Sequence, residues 1–280
     1  TRVRNLGTGV VYALLTIWAV LALFPIYWMF KNSLEPDKLL GLWPPRVLPQ
    51  WESITIANFR ILFRRFPIGR WFLNSVVVAV VRTGGAVFFG SLAGYAFAKL
   101  RFFGREIIFW MLMAVLMLPG FVLVVPKYQL IRAFGWYDTF RALILPGITG
   151  GASAVFLMRQ HIRTLPTELI ECARLDGANE FTIFMRVIVP LAAPGMAVLG
   201  IFWFIGNWNN FLWPMLTTAT NEMRTLPVGL AFLISPFIGH QEPIGQILAG
   251  ASIGALPMIA VFLFFQRYFL KGITVGAVKG

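Results

Sequence analysis

Long runs without a single charge alternate with short charged breaks along this chain. Residues 5–30, 107–126, 142–158 and 243–266 contain no Asp, Glu, Lys or Arg; residues 187–221 form a longer uncharged run, and residues 71–98 carry only Arg82. An apolar stretch of about 20 residues is long enough, as a helix, to cross the hydrocarbon core of a bilayer. The pattern therefore predicts six spans, at approximately 8–30, 71–98, 107–126, 140–159, 190–216 and 245–268. Nothing in 280 residues is left over for a large soluble domain. The expectation is an all-α membrane protein, one transmembrane domain over 1–280.

Finer signals fit helices packed in lipid. Gly90/Gly94, Gly147/Gly151 and Gly250/Gly254 are GxxxG pairs inside spans, which let helix backbones approach closely where lipid supplies no hydrophobic drive. They suit internal packing or an oligomer face. The stretch "TLPVGLAFLISPFIGHQ" (225–241) is uncharged, but it has two prolines and too short an apolar core to span. It is expected as a surface-lying or re-entrant element. The N-terminal run is longer than a signal-peptide core and ends in "FPIYWMF" with no small-residue cleavage site, so it reads as a retained span.

Composition agrees. The chain is 58% hydrophobic and 12% charged, with mean hydropathy +0.76, where soluble domains carry about 25% charged residues. The net charge of +13 is scattered at span ends rather than gathered on one face, which argues against nucleic acid. The lone Cys172 can form no internal disulfide, and no Cys/His spacing suggests a metal. Lys and Arg are nearly balanced between the two sides of a six-span topology. The short turn "KLRFFGRE" (99–106) favours termini inside.

One stretch breaks the apolar pattern. Arg159, Arg163, Glu168, Glu171, Arg174, Asp176, Glu180 and Arg186 crowd between two long uncharged runs. Pro166 suits a first helical turn, and Leu169, Cys172 and Ala173 fall on one helix face. Gly177 is placed to end that helix in a left-handed turn, and Asn179 to cap a second helix lined by Phe181, Phe184 and Ile188. The prediction is two short helices joined by a sharp turn, in the loop 163–189. Such a knob suits a groove on another protein, or equally a bed of lipid headgroups.

"ECARLDGANEFTIFMRVIVPLAAP" resembles the EAA loop of bacterial ABC importer permeases at Glu171, Ala173, Asp176, Gly177, Ala178, Phe184, Ile188, Pro190, Leu191 and Pro194. Cys172 and Val189 depart from that pattern by small apolar substitutions. "NWNNFLWPMLTT", "RTLPVGLAFL", "FLNSVVVAVV" and the end of the chain, "GAVKG", are similar to the maltose-type carbohydrate-uptake branch. The resemblance implies a six-helix permease bundle in the bacterial inner membrane with both termini and the EAA loop cytoplasmic. It further implies a second homologous permease forming a heterodimer, a cytoplasmic ABC ATPase dimer that binds ATP and Mg, an extracytoplasmic solute-binding protein, and a sugar as cargo. By the same resemblance, Glu171, Ala173, Asp176, Gly177, Ala178, Phe184 and Pro190 dock the ATPase. The tail 269–280 reaches it through Gly276, Ala277, Val278, Lys279 and Gly280.

For the cargo path, Trp203, Asn207, Asn210 and Pro214 recur at helical spacing. Asn amides beside a Trp suit a neutral polyol, but intramembrane Asn also holds helices together. Arg82 is the one charge inside a span, expected to face protein or a polar cavity; it is read as a residue of the cargo path, with anionic cargo open, or as pairing with the partner permease, or as snorkelling. His161 and His240 read as surface residues. No Gly is followed directly by Lys, so a phosphate-cradling loop must belong to another chain. No nucleophile with its base marks an enzyme. The competing class is a passive channel or facilitator, which would have no use for a docking loop.

Overall fold

In the computed structural model the backbone is described for residues 2–234 and 242–277, and side chains for 8–234 and 242–266. Among the described residues every regular element is helical. The α-helices are α1 (Arg2–Ser33), α2 (Asp37–Leu40), α3 (Ala57–Arg65), α4 (Ile68–Lys99), α5 (Arg105–Leu116), α6 (Val124–Ala133), α7 (Phe140–Ile144), α8 (Gly151–Arg163), α9 (Glu168–Leu175), α10 (Glu180–Ile183), α11 (Val189–Trp208), α12 (Leu212–Thr217), α13 (Leu226–Ile234) and α14 (Ile244–Ala277). Four uninterrupted stretches are long and apolar enough to cross a membrane: Thr8–Ser33, Ile68–Lys99, Glu180–Trp208 and Ile244–Gln266. Two bent pairs bring the number to six when each counts as one span.

Three expected spans are thus interrupted. The helix expected over 107–126 stops at Leu116 and turns by 97° before continuing as Gly120–Ala133, at Pro119-Gly120, where proline removes a donor and cannot continue the preceding helix. The pair Phe140–Gly147 and Gly151–Arg163 bends by 41°, with Gly150 and Gly151 both at positive φ. The helix expected over 190–216 ends at Trp208 and resumes at Leu212. Broken helices are tolerated at membrane depth where protein rather than lipid surrounds the freed backbone groups. The segment expected as surface-lying or re-entrant contains the nine-residue α13, with Leu226, Val228 and Leu233 buried.

Contacts divide the chain into two compact units, Thr1–Gly69 with Gly229–Pro257, and Arg70–Val228 with Met258–Gly280. The first is knitted by a buried polar cluster. Lys31 and Glu35 pair at 2.7 Å with both side chains almost fully buried. Asn58 donates to the carbonyls of Ser33 and Glu35, Gly245 N donates to Asp37 at 2.7 Å, and Arg65 meets Glu242 at 2.6 Å.

The second unit is built on α4 against α8. A Cβ added at Gly90 would lie 2.7 Å from the Cβ of Ala154; at Gly94 it would lie 2.7 Å from Met158 Cβ and 2.9 Å from Arg159 N. The Gly90/Gly94 pair therefore serves internal packing. Arg159 on α8 stacks 3.7 Å over the Phe109 ring and reaches Glu106, both on α5. At the other end of α4, Trp71 Nε1 donates to Asn221 O, Asn74 Nδ2 to Glu222 O and Arg224 O, and Leu226 N to Ser75 Oγ. The same loop is held by Asp138, which accepts from Ala219 N, Thr220 N and Thr220 Oγ1.

Burial pushes the Asp138 carboxyl upward, but those hydrogen bonds and Arg224 outweigh it and hold the carboxyl below its ordinary value. A depressed folded value contributes stability above the unfolded value, which is lost as pH falls through the folded one. Amide exchange at Ala219 and Thr220, corrected for intrinsic rates, should stay flat from about pH 8 down to 5 and rise only below about pH 4. A rise already near neutral pH would show that another group holds the loop.

Candidate functional site

The charged stretch folds as two short helices around one tight turn. α9 ends at Leu175 with Asp176 as its C-cap, and Gly177 follows at φ +81°, a conformation that penalises any Cβ. Gly177 N donates to Arg174 O and Ala178 N to Ala173 O, each at 3.0 Å. These two bonds are the Schellman closure, which satisfies carbonyls that a helix end otherwise leaves open. Asn179 then caps α10, its side chain accepting from Thr182 N at 2.8 Å. Turn and cap together fix the angle at which the second helix leaves the first.

The hairpin is seated by its apolar underside. Ile170, Ile183, Phe184 and Ile188 join Tyr95, Ala154, Met158, Ile162, Ala192 and Leu199 in one buried cluster. Residues 184–188 form a π-helical turn that passes directly into α11, so α10 and α11 make one continuous rod. Polar contacts fix the rest. Glu180 accepts from Tyr95 Oη at 2.5 Å and pairs with Arg174 at 2.8 Å, and Lys99 Nζ donates to Leu165 O and Thr167 Oγ1. The Glu180 hydrogen bond raises the Arg174 pKa above its ordinary value. Because the Arg174–Glu180 pair is exposed it contributes little, about 0–1 kcal/mol. The buried Tyr95 hydroxyl on a carboxylate matters more, and Tyr95→Phe should cost about 1–3 kcal/mol. Thermal unfolding of the two proteins in one detergent checks this; identical midpoints would show the contact to be dispensable.

The outward surface carries most of the residues singled out for docking. Glu171, Asp176, Gly177 and Pro190 are exposed and Ala173 and Ala178 half-buried. Asp176, Gly177, Asn179 and Arg186 border a shallow hollow of about 450 Å³ at the turn. Phe184 is different: it is fully buried, so its side chain supports the hairpin from beneath and is not on the docking surface. The expected apolar face of α9 is also displaced. Ile170 is the buried residue, while Leu169 and Cys172 are exposed, because the cluster lies against the side of α9 one residue further round. Phe181, expected to share a face with Phe184, is 58% exposed.

The terminal helix continues through Gly276 and Ala277; Val278, Lys279 and Gly280 lie outside the described residues, as does His240.

The residues proposed for the cargo path do not share one face. Trp203 packs against the buried cluster beneath the hairpin. Asn207 Nδ2 donates to Thr83 Oγ1 at 3.3 Å, joining α11 to α4. Asn210 lies past the end of α11, where Asn209, Asn210 and Phe121 line a hollow of about 440 Å³ beside the break at Gly120. Pro214 belongs to the separate helix α12. The guanidinium of Arg82 abuts Gly147, where any side chain would collide with it, and its Nε is buried without a hydrogen-bond partner among the described residues. His161, expected at the surface, instead lies with its ring against Gly195 and its Nε2 buried.

Sequence reasoning missed Tyr95, Lys99 and Asn209. A lone Tyr and Lys at a span end carry no signal of a long-range anchor, and Asn209 was hidden by assuming an unbroken helix. Among the described residues no three His, Cys, Asp or Glu side chains gather as a metal site.

Comparison with known proteins gives consistent matches. A family described as "Binding-protein-dependent transport system inner membrane component" matches residues 86–275. The arabinooligosaccharides transport system permease protein of Bacillus subtilis (strain 168) is 38% identical over 263 residues, covering 94% of this chain and 92% of that protein. The trehalose transport system permease protein of Mycobacterium tuberculosis is 37% identical over 276 residues, 95% and 98% covered. The sn-glycerol-3-phosphate transport system permease protein of Yersinia enterocolitica is 34% identical over 267 residues, 94% of each. Among solved structures, a chain of a bacterial ABC transporter involved in the import of the acidic polysaccharide alginate superposes with TM-score 0.84 at 25% identity, covering 96% of this chain and 98% of that one.

Proposed function

The chain belongs to the family of binding-protein-dependent transport system inner membrane components, and from that premise we propose that it is one of two permease subunits of an ATP-driven importer of carbohydrate. Relatives named for arabinooligosaccharide and trehalose transport support a saccharide as cargo. In this reading the second permease is a homologous chain, an extracytoplasmic binding protein delivers the sugar, and a cytoplasmic ATPase dimer holds ATP and Mg²⁺. The hairpin and both termini face the cytoplasm. This chain contributes half of the path and the means of coupling.

The observation that carries the proposal is the build of the hairpin. It is rigid at its turn, anchored below by Ile170, Ile183 and Phe184, continuous with α11 through residues 184–188, and charged and exposed above. A knob of this kind accepts a push from a partner's cleft and passes it as a rigid-body tilt into a membrane span, because packed interiors do not absorb displacement. Glu171 on the exposed face is placed for a charge-assisted contact with a basic group of the ATPase. Gly276 to Gly280 are assigned to the same partner at the chain end. Asn209 and Asn210, at the meeting of two helix breaks, are better placed to touch cargo than Asn207, whose amide is engaged with Thr83. A passive channel has no need of the hairpin.

Affinity purification from native membranes, with co-purifying chains identified by mass, tests the assembly. The expected result is a Walker-type ATPase and a second permease. Glu171→Arg should reduce ATPase recovery by roughly tenfold, about 1.4 kcal/mol for reversing a charge-assisted contact, and leave the second permease in place. A wild-type chain that comes out alone would favour the channel reading.

A further inference from the structure

Residues 41–56, "GLWPPRVLPQWESITI", hold two strongly exposed tryptophans outside the membrane spans. Trp43 is 90% exposed, Trp51 81% and Leu48 77%, with Leu42, Val47, Ile54 and Ile56 also exposed. A soluble loop rarely spends two tryptophans on water.

The depth of this loop is fixed by α1. Tyr27 Oη donates to Val47 O at 2.7 Å, and Lys31 Nζ donates to Arg46 O at 2.8 Å. Tyr27 lies six residues before the helix end at Ser33, about 9 Å back along the axis. The uncharged run 5–30 has 26 residues, about 39 Å of helix against a hydrocarbon core of about 30 Å. It ends at Phe30, directly before Lys31, so the last turns of α1, Tyr27 to Ser33, lie at the boundary. The loop is therefore folded back beside the last turns of α1 rather than raised above them. Its exposed side chains continue the apolar surface of α1, whose spanning window has no buried residue. Composition suits that depth: Pro44, Pro45 and Pro49 have no N–H to leave unpaired, and Trp with Arg is the usual chemistry of the headgroup level.

We infer that residues 41–56 form a membrane-interface anchor, with Trp43, Leu48 and Trp51 inserted among the headgroups and upper acyl chains of the leaflet at the C-terminal end of α1. The occupant of this surface is lipid. The anchor braces the end of α1 and, through the Lys31–Glu35 and Asn58 contacts, the polar cluster behind it.

Fluorescence quenching tests this with the full chain in phosphatidylethanolamine/phosphatidylglycerol nanodiscs. Both indoles are exposed, so the W43F/W51F double variant should fold as wild type, and the difference in emission isolates these two side chains. Lipids brominated close to the headgroup should quench that difference at least about twofold more than lipids brominated near the chain ends, as expected of interfacial Trp, while aqueous iodide quenches it weakly. Strong quenching by iodide with none by brominated lipid would place the loop in water and overturn the assignment. Protection from both quenchers would mean that protein covers the patch, and would overturn it equally.

Discussion

Gly177→Pro should reduce ATP-dependent uptake by roughly 30- to 150-fold while the chain still reaches the membrane. Gly177 sits at φ +81° and its N–H closes the turn on Arg174 O. Proline is held near −65° and has no N–H, so both the conformation and the hydrogen bond are lost. A local cost of about 2–3 kcal/mol, a factor of 10 per 1.4 kcal/mol, gives that range if the docked geometry requires the native turn. The turn is exposed, and a Cβ at Gly177 meets nothing within 4 Å, so core packing is not at stake. Gly177→Asn is the control. Asparagine tolerates the left-handed region, and it should retain most transport. The measurement is uptake of labelled saccharide into vesicles with ATP inside, beside ATPase recovery on purification. Full ATPase recovery and uptake in the proline variant would remove the turn from the coupling mechanism.

The second large effect concerns the scaffold. Gly94→Leu should leave little folded chain in the membrane, and Gly94→Ala should lower the unfolding midpoint by roughly 3–10 °C, from about 1–3 kcal/mol of overpacking. The reason is that a Cβ at Gly94 meets not only Met158 Cβ at 2.7 Å but the backbone of Met158 and Arg159 at 2.9 Å. A side chain could swing aside; two helix backbones cannot without parting. Gly84 lies on the same helix, with nothing within 4 Å of its Cβ. Gly84→Ala should be neutral or slightly stabilising, since glycine inside a helix costs about 0.5–1 kcal/mol relative to alanine. Equal midpoints for the two alanine variants would refute the close-approach argument. A loss confined to Gly94 would locate the α4–α8 contact as the seam on which the hairpin's support depends, because Tyr95 is its neighbour in sequence and anchors Glu180.

These two glycines show how differently sequence speaks of turns and of contacts. Gly177 was legible because its role is local: a helix stripe, a glycine and a capping Asn within a few residues specify a turn whatever lies beyond. Gly90 and Gly94 announced a close approach, but not to which helix, since that partner is some sixty residues away and no pattern marks it. Phe184 and Leu169 were misplaced for a related reason. Periodicity gives the spacing of a face but not its rotation, and the buried side of α9 is set by the cluster from α4, α8 and α11 on which it rests.

By itself the sequence determined the solvent of this protein, the positions of its apolar runs and the presence of a charged two-helix knob, because hydrophobic length and turn chemistry act over short distances. Only the tertiary structure decided where the crossings break, since Pro119-Gly120 and Gly150-Gly151 permit a bend without fixing its angle, and the bends of 97° and 41° depend on what packs around them. It decided that Asn207 binds a neighbouring helix while Asn209 and Asn210 border a hollow, and that Arg82 rests on Gly147. In a bilayer a buried polar group depends on the protein for its partner, and whether it finds one, as Asn207 does, is set by whichever helix the fold brings alongside.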